Sequence, residues 1–293
     1  MKTTHLLLAL LISSFSFSQN FDKVEIKKIE VSENIYMLVG AGGNIGVLTG
    51  EDGVLMVDSQ YNQLSEKIQK AVDDITEKPI KFLVNTHWHF DHTGGNENFK
   101  NSEGSIIVAH ENVYTRLQKE HFNEIFDWDI KAADKNAWPT ITFTEEFKFH
   151  INGEDVNIFH SENAHTDGDA VVYFTKANVM HTGDVFVRYG FPFIDITVGG
   201  GIDGMIKIQK KILDVTNQDT KYIPGHGELA SRADVVEVYE MLKETKEIIQ
   251  KHKEKGKTLD EVLTAAPLKS YAERWNGNFI STELFTQFVY ETL

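Results

Sequence analysis

The stretch Asn85-Thr86-His87-Trp88-His89-Phe90-Asp91-His92-Thr93-Gly94-Gly95-Asn96 constrains this chain most, because it sets three imidazoles and a carboxylate within six residues. Ile80-Lys81-Phe82-Leu83-Val84 precedes it, a short apolar run rich in strand formers. Gly94 and Gly95 follow and loosen the backbone before the next element. The cluster is therefore expected in the loop leaving a buried strand, where α/β folds place their chemistry. Imidazole nitrogen and carboxylate oxygen are the ligand set of zinc and its neighbours. One loop aims too few ligands at one ion, so a metal reading requires partners elsewhere in the chain.

Ile35 to Val39, Ile45 to Thr49 and Val54 to Val57 read as a β-meander, with Asp52-Gly53 as a hairpin turn. Leu64, Ile68, Ala71, Val72 and Ile75 recur at helical spacing, and Pro79 ends that helix. With the 80–84 strand this makes a βαβ-like unit on a layered sheet. Ser105 to Ala109 is a strand and Glu111 to Glu120 a helix. From His121 to Trp138 the pattern weakens; its aromatics are packing anchors or, alternatively, part of a substrate lid over the metal loop. A second hairpin joins Phe147–Ile151 to Val156–Phe159, and strands follow at Ala170–Phe174, Asn178–Met180 and Lys221–Ile223. Met205, Ile208, Ile212 and Leu213 mark a helix. Ser231 with Asp234, and Thr258 with Glu261, form capping-box signals for two further helices. The expected organisation is a segment 1–18, a domain 20–245, and a helical extension 246–293 folded back on it.

The first residues suggest export. Lys2, the apolar run Leu6–Ile12 and the small, polar Ser13–Ser18 make a secretory signal peptide, cut near Ser18–Gln19. That run is too short to span a bilayer, so no membrane insertion is expected after its removal. The chain has no cysteine, which excludes disulfides, thiolate ligands and a lipoprotein anchor. A net charge of −15 argues against a nucleic-acid partner and leaves a small-molecule substrate. The expected location is periplasmic or secreted.

Candidate ligands stand at four expected strand ends: His87, His89, Asp91 and His92; His165 within Ala164-His165-Thr166-Asp167-Gly168-Asp169; Asp184 after His181-Thr182-Gly183; and His226 within Pro224-Gly225-His226-Gly227. Alternation along an extended loop sends residues 87, 89 and 91 in similar directions. Seven ligands exceed one tetrahedral zinc and suit a two-metal site with a bridging carboxylate. Two divalent ions outweigh Asp91, Asp184 and a bridging hydroxide, so the site keeps positive charge. A metal-bound hydroxide then attacks a carbonyl-type carbon, with Asp91 orienting it and relaying a proton. Arg188 is a candidate anchor for a substrate carboxylate, with a plain surface arginine as the alternative.

In order and spacing, these motifs resemble the metallo-β-lactamase-fold superfamily of metallohydrolases, over about residues 30 to 245. The resemblance implies an α/β (α+β) fold, an αββα four-layer sandwich. It implies a first metal on His87, His89 and His165, a second on Asp91, His92 and His226, and Asp184 as the bridge. The strand ending at Asp58 looks like the family's first-half strand, with Asp58 supporting the histidine loop. His181, outside the matched positions but three residues before Asp184, is a candidate support for that carboxylate. The metals are expected to be two zinc ions, with iron or manganese as alternatives. Asp184 stands where the family's cysteine-using lactamases place cysteine, and Val187 where they place a substrate-binding lysine. The ligand set is closer to glyoxalase-II-like thioesterases and broad hydrolases. The expected function is an exported dinuclear hydrolase of a lactam, lactone, ester or thioester. The alternatives are a dedicated secreted β-lactamase, a di-iron redox protein, or a non-catalytic metal-binding protein.

Overall fold

The computed structural model describes residues 20–277 and 279–293, so the signal-peptide expectation for residues 1–18 lies outside the described residues. Lys27–Ser32 (β1), Ile35–Val39 (β2), Ile45–Leu48 (β3) and Val54–Val57 (β4) run antiparallel, each beside the next. Helix Ser65–Asp73 (α1) carries the chain across to Ile80–Val84 (β5), parallel to β4, which is the βαβ unit expected from the periodicity. After β5 come a helical turn Phe90–Thr93 (α2), helix Asn96–Glu103 (α3) and strand Ile106–His110 (β6), parallel to β5. Helix Glu111–Leu117 (α4) leads to a small hairpin, His121–Asn123 (β7) with Trp128–Ile130 (β8). Ile141–Phe143 (β9) then completes a seven-stranded sheet of order β1-β2-β3-β4-β5-β6-β9.

The second sheet has five strands in chain order: Glu146–Ile151 (β10), Glu154–Ser161 (β11), Asp169–Phe174 (β12), Val179–His181 (β13) and Lys221–Ile223 (β14). Only β14 pairs in parallel, because helix Ile202–Val215 (α5) returns the chain to the starting edge. Four helices follow: Arg232–Glu254 (α6), Leu259–Ala265 (α7), Ala272–Trp275 (α8) and Thr282–Thr292 (α9). Both expected capping boxes are formed, at Ser231–Asp234 and Thr258–Glu261.

Side-chain alternation explains the layers. On β4, Leu55 and Val57 face the second sheet, while Val54 and Met56 face α1. On β12, Val172 and Phe174 enter the inter-sheet core and Val171 faces the helices on the other side. Each sheet is buried on both faces, which is why β4 reads as an unbroken apolar run. Leu64, Ile68 and Val72 seal the outer face of the first sheet, each burial stabilising by roughly 1.5–3 kcal/mol. Helices α5, α6 and α9 seal the second. The result is the αββα four-layer sandwich.

The expected boundary at residue 245 falls inside α6, and Phe285, Phe288 and Val289 of α9 share one apolar cluster with Met205, Ile208 and Leu242. No helix of the described residues is long and apolar enough to cross a membrane.

Candidate metal centre

The first sheet delivers the histidine loop at the C-terminal end of β5, and the second sheet delivers its partners. His165 lies on the connection into β12, Asp184 follows β13 and His226 follows β14. All seven candidate ligands fall into three overlapping groups: His87, His89 and His165; His87, His92 and Asp184; Asp91, His92 and His226. Within each group the donor atoms lie within 4.8 Å of one another. The expected alternation of 87, 89 and 91 stops at His89, which is extended (φ −59°, ψ 145°) and caps the helical turn α2. Successive residues of that turn diverge by about 100° around its axis. Asp91 thereby joins His92 and His226 rather than the His87 group.

Hydrogen bonds fix the imidazole tautomers. Thr86 Oγ1 donates its proton to Asp58 Oδ2 at 2.7 Å, so at 3.0 Å it accepts from His87 Nδ1. His87 Nε2 is left as a fully buried lone pair without a hydrogen-bond partner. His165 Nδ1 donates to the Phe193 carbonyl at 2.8 Å, and His89 Nε2 donates to Asp195 Oδ2 at 2.9 Å. The lone pairs of His165 Nε2 and His89 Nδ1 then face each other at 2.9 Å. An orphaned buried acceptor costs on the order of 1–3 kcal/mol, and a cation between these donors removes that cost. The backbone leaves the ligands room: a β-carbon on Gly43 would overlap the His92 ring, and one on Gly225 would overlap Asp184 Oδ1. The residues present fit two divalent ions.

The carboxylates complete the second group. Asp184 places Oδ1 at 3.1 Å from His92 Nε2, and Oδ2 at 3.5 Å from His226 Nε2 and 3.8 Å from His165 Nε2, so it reaches both groups. Asp91 Oδ2 lies 3.2 Å from His226 Nε2. Burial would raise the Asp91 carboxyl, but His92 and His226 hold it down at about 2. Burial likewise opposes charge on His92, yet the Asp184, Asp91 and Asp58 carboxylates raise it well above the ordinary imidazole range. The cluster draws positive charge to itself. Burial, then the neighbouring imidazoles, push His87 well below that range; burial and His89 push His165 down to about 4. Both are therefore neutral imidazoles at pH 7, the form that can ligate a metal.

Asp58 holds the loop from behind, accepting from the Thr86 amide at 2.8 Å and from His92 Nδ1 at 2.7 Å. His181 donates from Nε2 to the Asn44 carbonyl and accepts from the Gly183 amide beside Asp184. Arg188 does not occupy the place expected for a carboxylate anchor: its guanidinium pairs with Asp234 at 3.0 Å and donates to the Leu229 carbonyl. The side chain lining the cavity there is its neighbour, Tyr189. His110, His121, His150, His160 and His252 stand in none of the three groups. Asp195 escaped the sequence reading. It lies in a stretch without strand or helix periodicity, 106 residues from the imidazole it orients.

The ligands open onto a cavity of about 390 Å³, with His89, Asp91, Asp184 and His226 on its floor. Tyr61, Phe90, Trp128, Tyr189, Phe193 and Phe279 form its walls.

A sequence profile described as the metallo-beta-lactamase superfamily matches residues 38–245. A hydroxyacylglutathione hydrolase of Pelagibacter ubique is 30% identical over 111 residues, covering 38% of this chain and 38% of that protein. The chain thus spans well under half the length of that relative. A probable metallo-hydrolase of Methanocaldococcus jannaschii is 26% identical over 209 residues, 69% of this chain and 90% of that protein. Among solved structures, a metallo-beta-lactamase from Pontibacter korlensis superposes with a TM-score of 0.63 at 15% identity, covering 75% of this chain and 99% of that one.

Proposed function

Because this chain belongs to the metallo-beta-lactamase superfamily and is a metal-dependent hydrolase, we propose that it is an exported dinuclear zinc enzyme acting on a carbonyl-type bond of a small molecule: a lactam, lactone, ester or thioester. In this reading His87, His89 and His165 hold the first zinc, Asp91, His92 and His226 the second, and Asp184 both. The observation that carries it is the fixed set of inward lone pairs, His87 Nε2 without a partner and His89 Nδ1 against His165 Nε2. The export half of the reading rests on the signal-like first residues.

When bound, the two ions supply Lewis acidity and bring the pKa of water toward about 7. The side chains supply position and proton handling. Asp91, held ionised, accepts a hydrogen bond from the attacking water and carries a proton toward the leaving group. The Tyr189 hydroxyl accepts from the Phe193 amide at 3.4 Å and keeps its own proton for an oxygen in the cavity. Asp195 and Asp58 hold His89 and His92 in the tautomers that ligate.

The test is turnover of nitrocefin, a lactone and a thioester by zinc-loaded protein, with a chelator control. Turnover is expected to vanish with chelator and to fall roughly 100-fold or more in Asp91→Asn. No turnover on any substrate, or two irons per chain after purification, would sink the proposal.

A further inference from the structure

We infer that the substrate is an uncharged ester or lactone whose acyl chain or aromatic ring rests on an aromatic wall contributed by Trp128 and Phe279. This rests on the hydrolase reading above. Trp128 comes from the β7–β8 hairpin and Phe279 from the segment before α9, beyond the residues matched by the family profile. Phe126 joins them, stacked on Trp128 with centroids 4.7 Å apart and on Phe279 at 5.1 Å. Trp128 and Phe279 are nearly parallel, 8° apart. Phe90 extends the wall, meeting Trp128 edge-on at 5.9 Å and Tyr61 at 5.9 Å.

These rings are fixed by one another yet remain open to the cavity: Phe90 is 39% exposed, Trp128 37% and Phe279 42%. Exposed large aromatics beside a polar metal cluster mark a ligand surface rather than core. Charge narrows the ligand further. Among the described residues no Lys or Arg lines the cavity, and Arg188 is committed to Asp234. With two divalent ions held by the floor residues, the positive charge would lie there, beside the reacting carbonyl. A second anionic group, farther along the substrate, would lose water against aromatic rings and gain no cation. The net charge of −15 repels it besides.

In the reaction, the oxygen of water bonds to the carbonyl carbon and the carbon–oxygen bond to the alcohol breaks. One water proton goes to the departing alkoxide, the other is released, and the products are an alcohol and a carboxylate.

The experiment compares p-nitrophenyl acetate, butyrate and hexanoate with mono-p-nitrophenyl adipate, which carries a distal carboxylate, on zinc-loaded full chain. Calorimetric binding of N-phenylacetamide and N-phenylhexanamide runs alongside. Each added methylene should raise kcat/KM about fourfold while it reaches the wall. The hexanoate ester should exceed the acetate and adipate esters by at least about tenfold. N-phenylhexanamide should bind about tenfold or more tightly than N-phenylacetamide. Trp128→Ala and Phe279→Ala should each pull the hexanoate-to-acetate ratio toward one. If neither these esters nor nitrocefin, a lactone or a thioester is turned over, but the anilide preference holds and collapses in both variants, the hydrolase reading fails and the wall assignment stands. Equal binding of the two anilides, or a preference for the adipate ester, overturns the inference however brisk the turnover.

Discussion

Asp58 and His92, thirty-four positions apart in sequence, meet at 2.7 Å between Oδ2 and Nδ1, both fully buried. Asp58 adopts a left-handed backbone (φ 64°) to make this contact, which aspartate and asparagine tolerate better than most residues. The same carboxylate accepts from the Thr86 amide and hydroxyl, so it fixes two ligands at once. Asp58→Asn keeps the backbone and the size but replaces an acceptor oxygen with a donor. Zinc affinity is expected to fall roughly 10- to 100-fold, measured by competition with a chromogenic chelator. Unchanged affinity would remove Asp58 from the site's support.

Gly43 lies against the His92 ring, and its amide donates to the Asp91 carbonyl at 3.0 Å. Gly43→Ala drives a methyl group into that imidazole and leaves His89 and His165 untouched. The expected result is a fall from two zinc ions per chain toward one, read by elemental analysis, with the melting temperature of the chelator-treated protein little changed. Two ions retained would show that the loop can yield there.

His110 stacks on His160 with centroids 3.8 Å apart, and burial followed by that neighbour lowers its pKa to about 4. The unfolded chain takes up a proton near pH 6.5, whereas the folded one does so only near 4. Stability is therefore lost as pH falls through that window. His110 also caps α4 by accepting from the Asn112 amide, a task asparagine performs well. In His110→Asn the urea midpoint of chelator-treated protein should drop less between pH 7 and 4.5 than in the parent chain. An equal drop would exclude His110 as a source.

Arg188 is exposed and paired with Asp234 outside the cavity. Arg188→Ala should cost no more than about 1 kcal/mol of stability. It should leave the ratio of KM values for neutral and carboxylate-bearing esters unaltered. A selective rise in KM for the charged ester would restore the anchoring role expected from its sequence position.

The sequence made the clustering of the candidate ligands legible because each follows a short apolar strand, and strand ends on a layered sheet converge. The capping boxes at Ser231 and Thr258 were legible because their chemistry is local. Asp195 and Phe279 were not, since neither sits in a periodic segment and each acts through a contact across the fold. Strand β1 was hidden by its charges: an edge strand covered on one face shows only Ile29 and Val31 as apolar residues. Helix α3 was hidden similarly, with Phe99 as its single buried apolar anchor. The helical turn at Phe90 overrode the alternation expected for Asp91, and so decided which group that carboxylate joins.

Because the candidate ligands come from the ends of strands in both sheets, a metal site there would draw on both halves at once. A chain stalled with one half assembled offers His87, His89, Asp91 and His92 alone, or His165, Asp184 and His226 alone. Neither subset encloses two ions. A metal pair held there would fasten the seam of the sandwich from both sides.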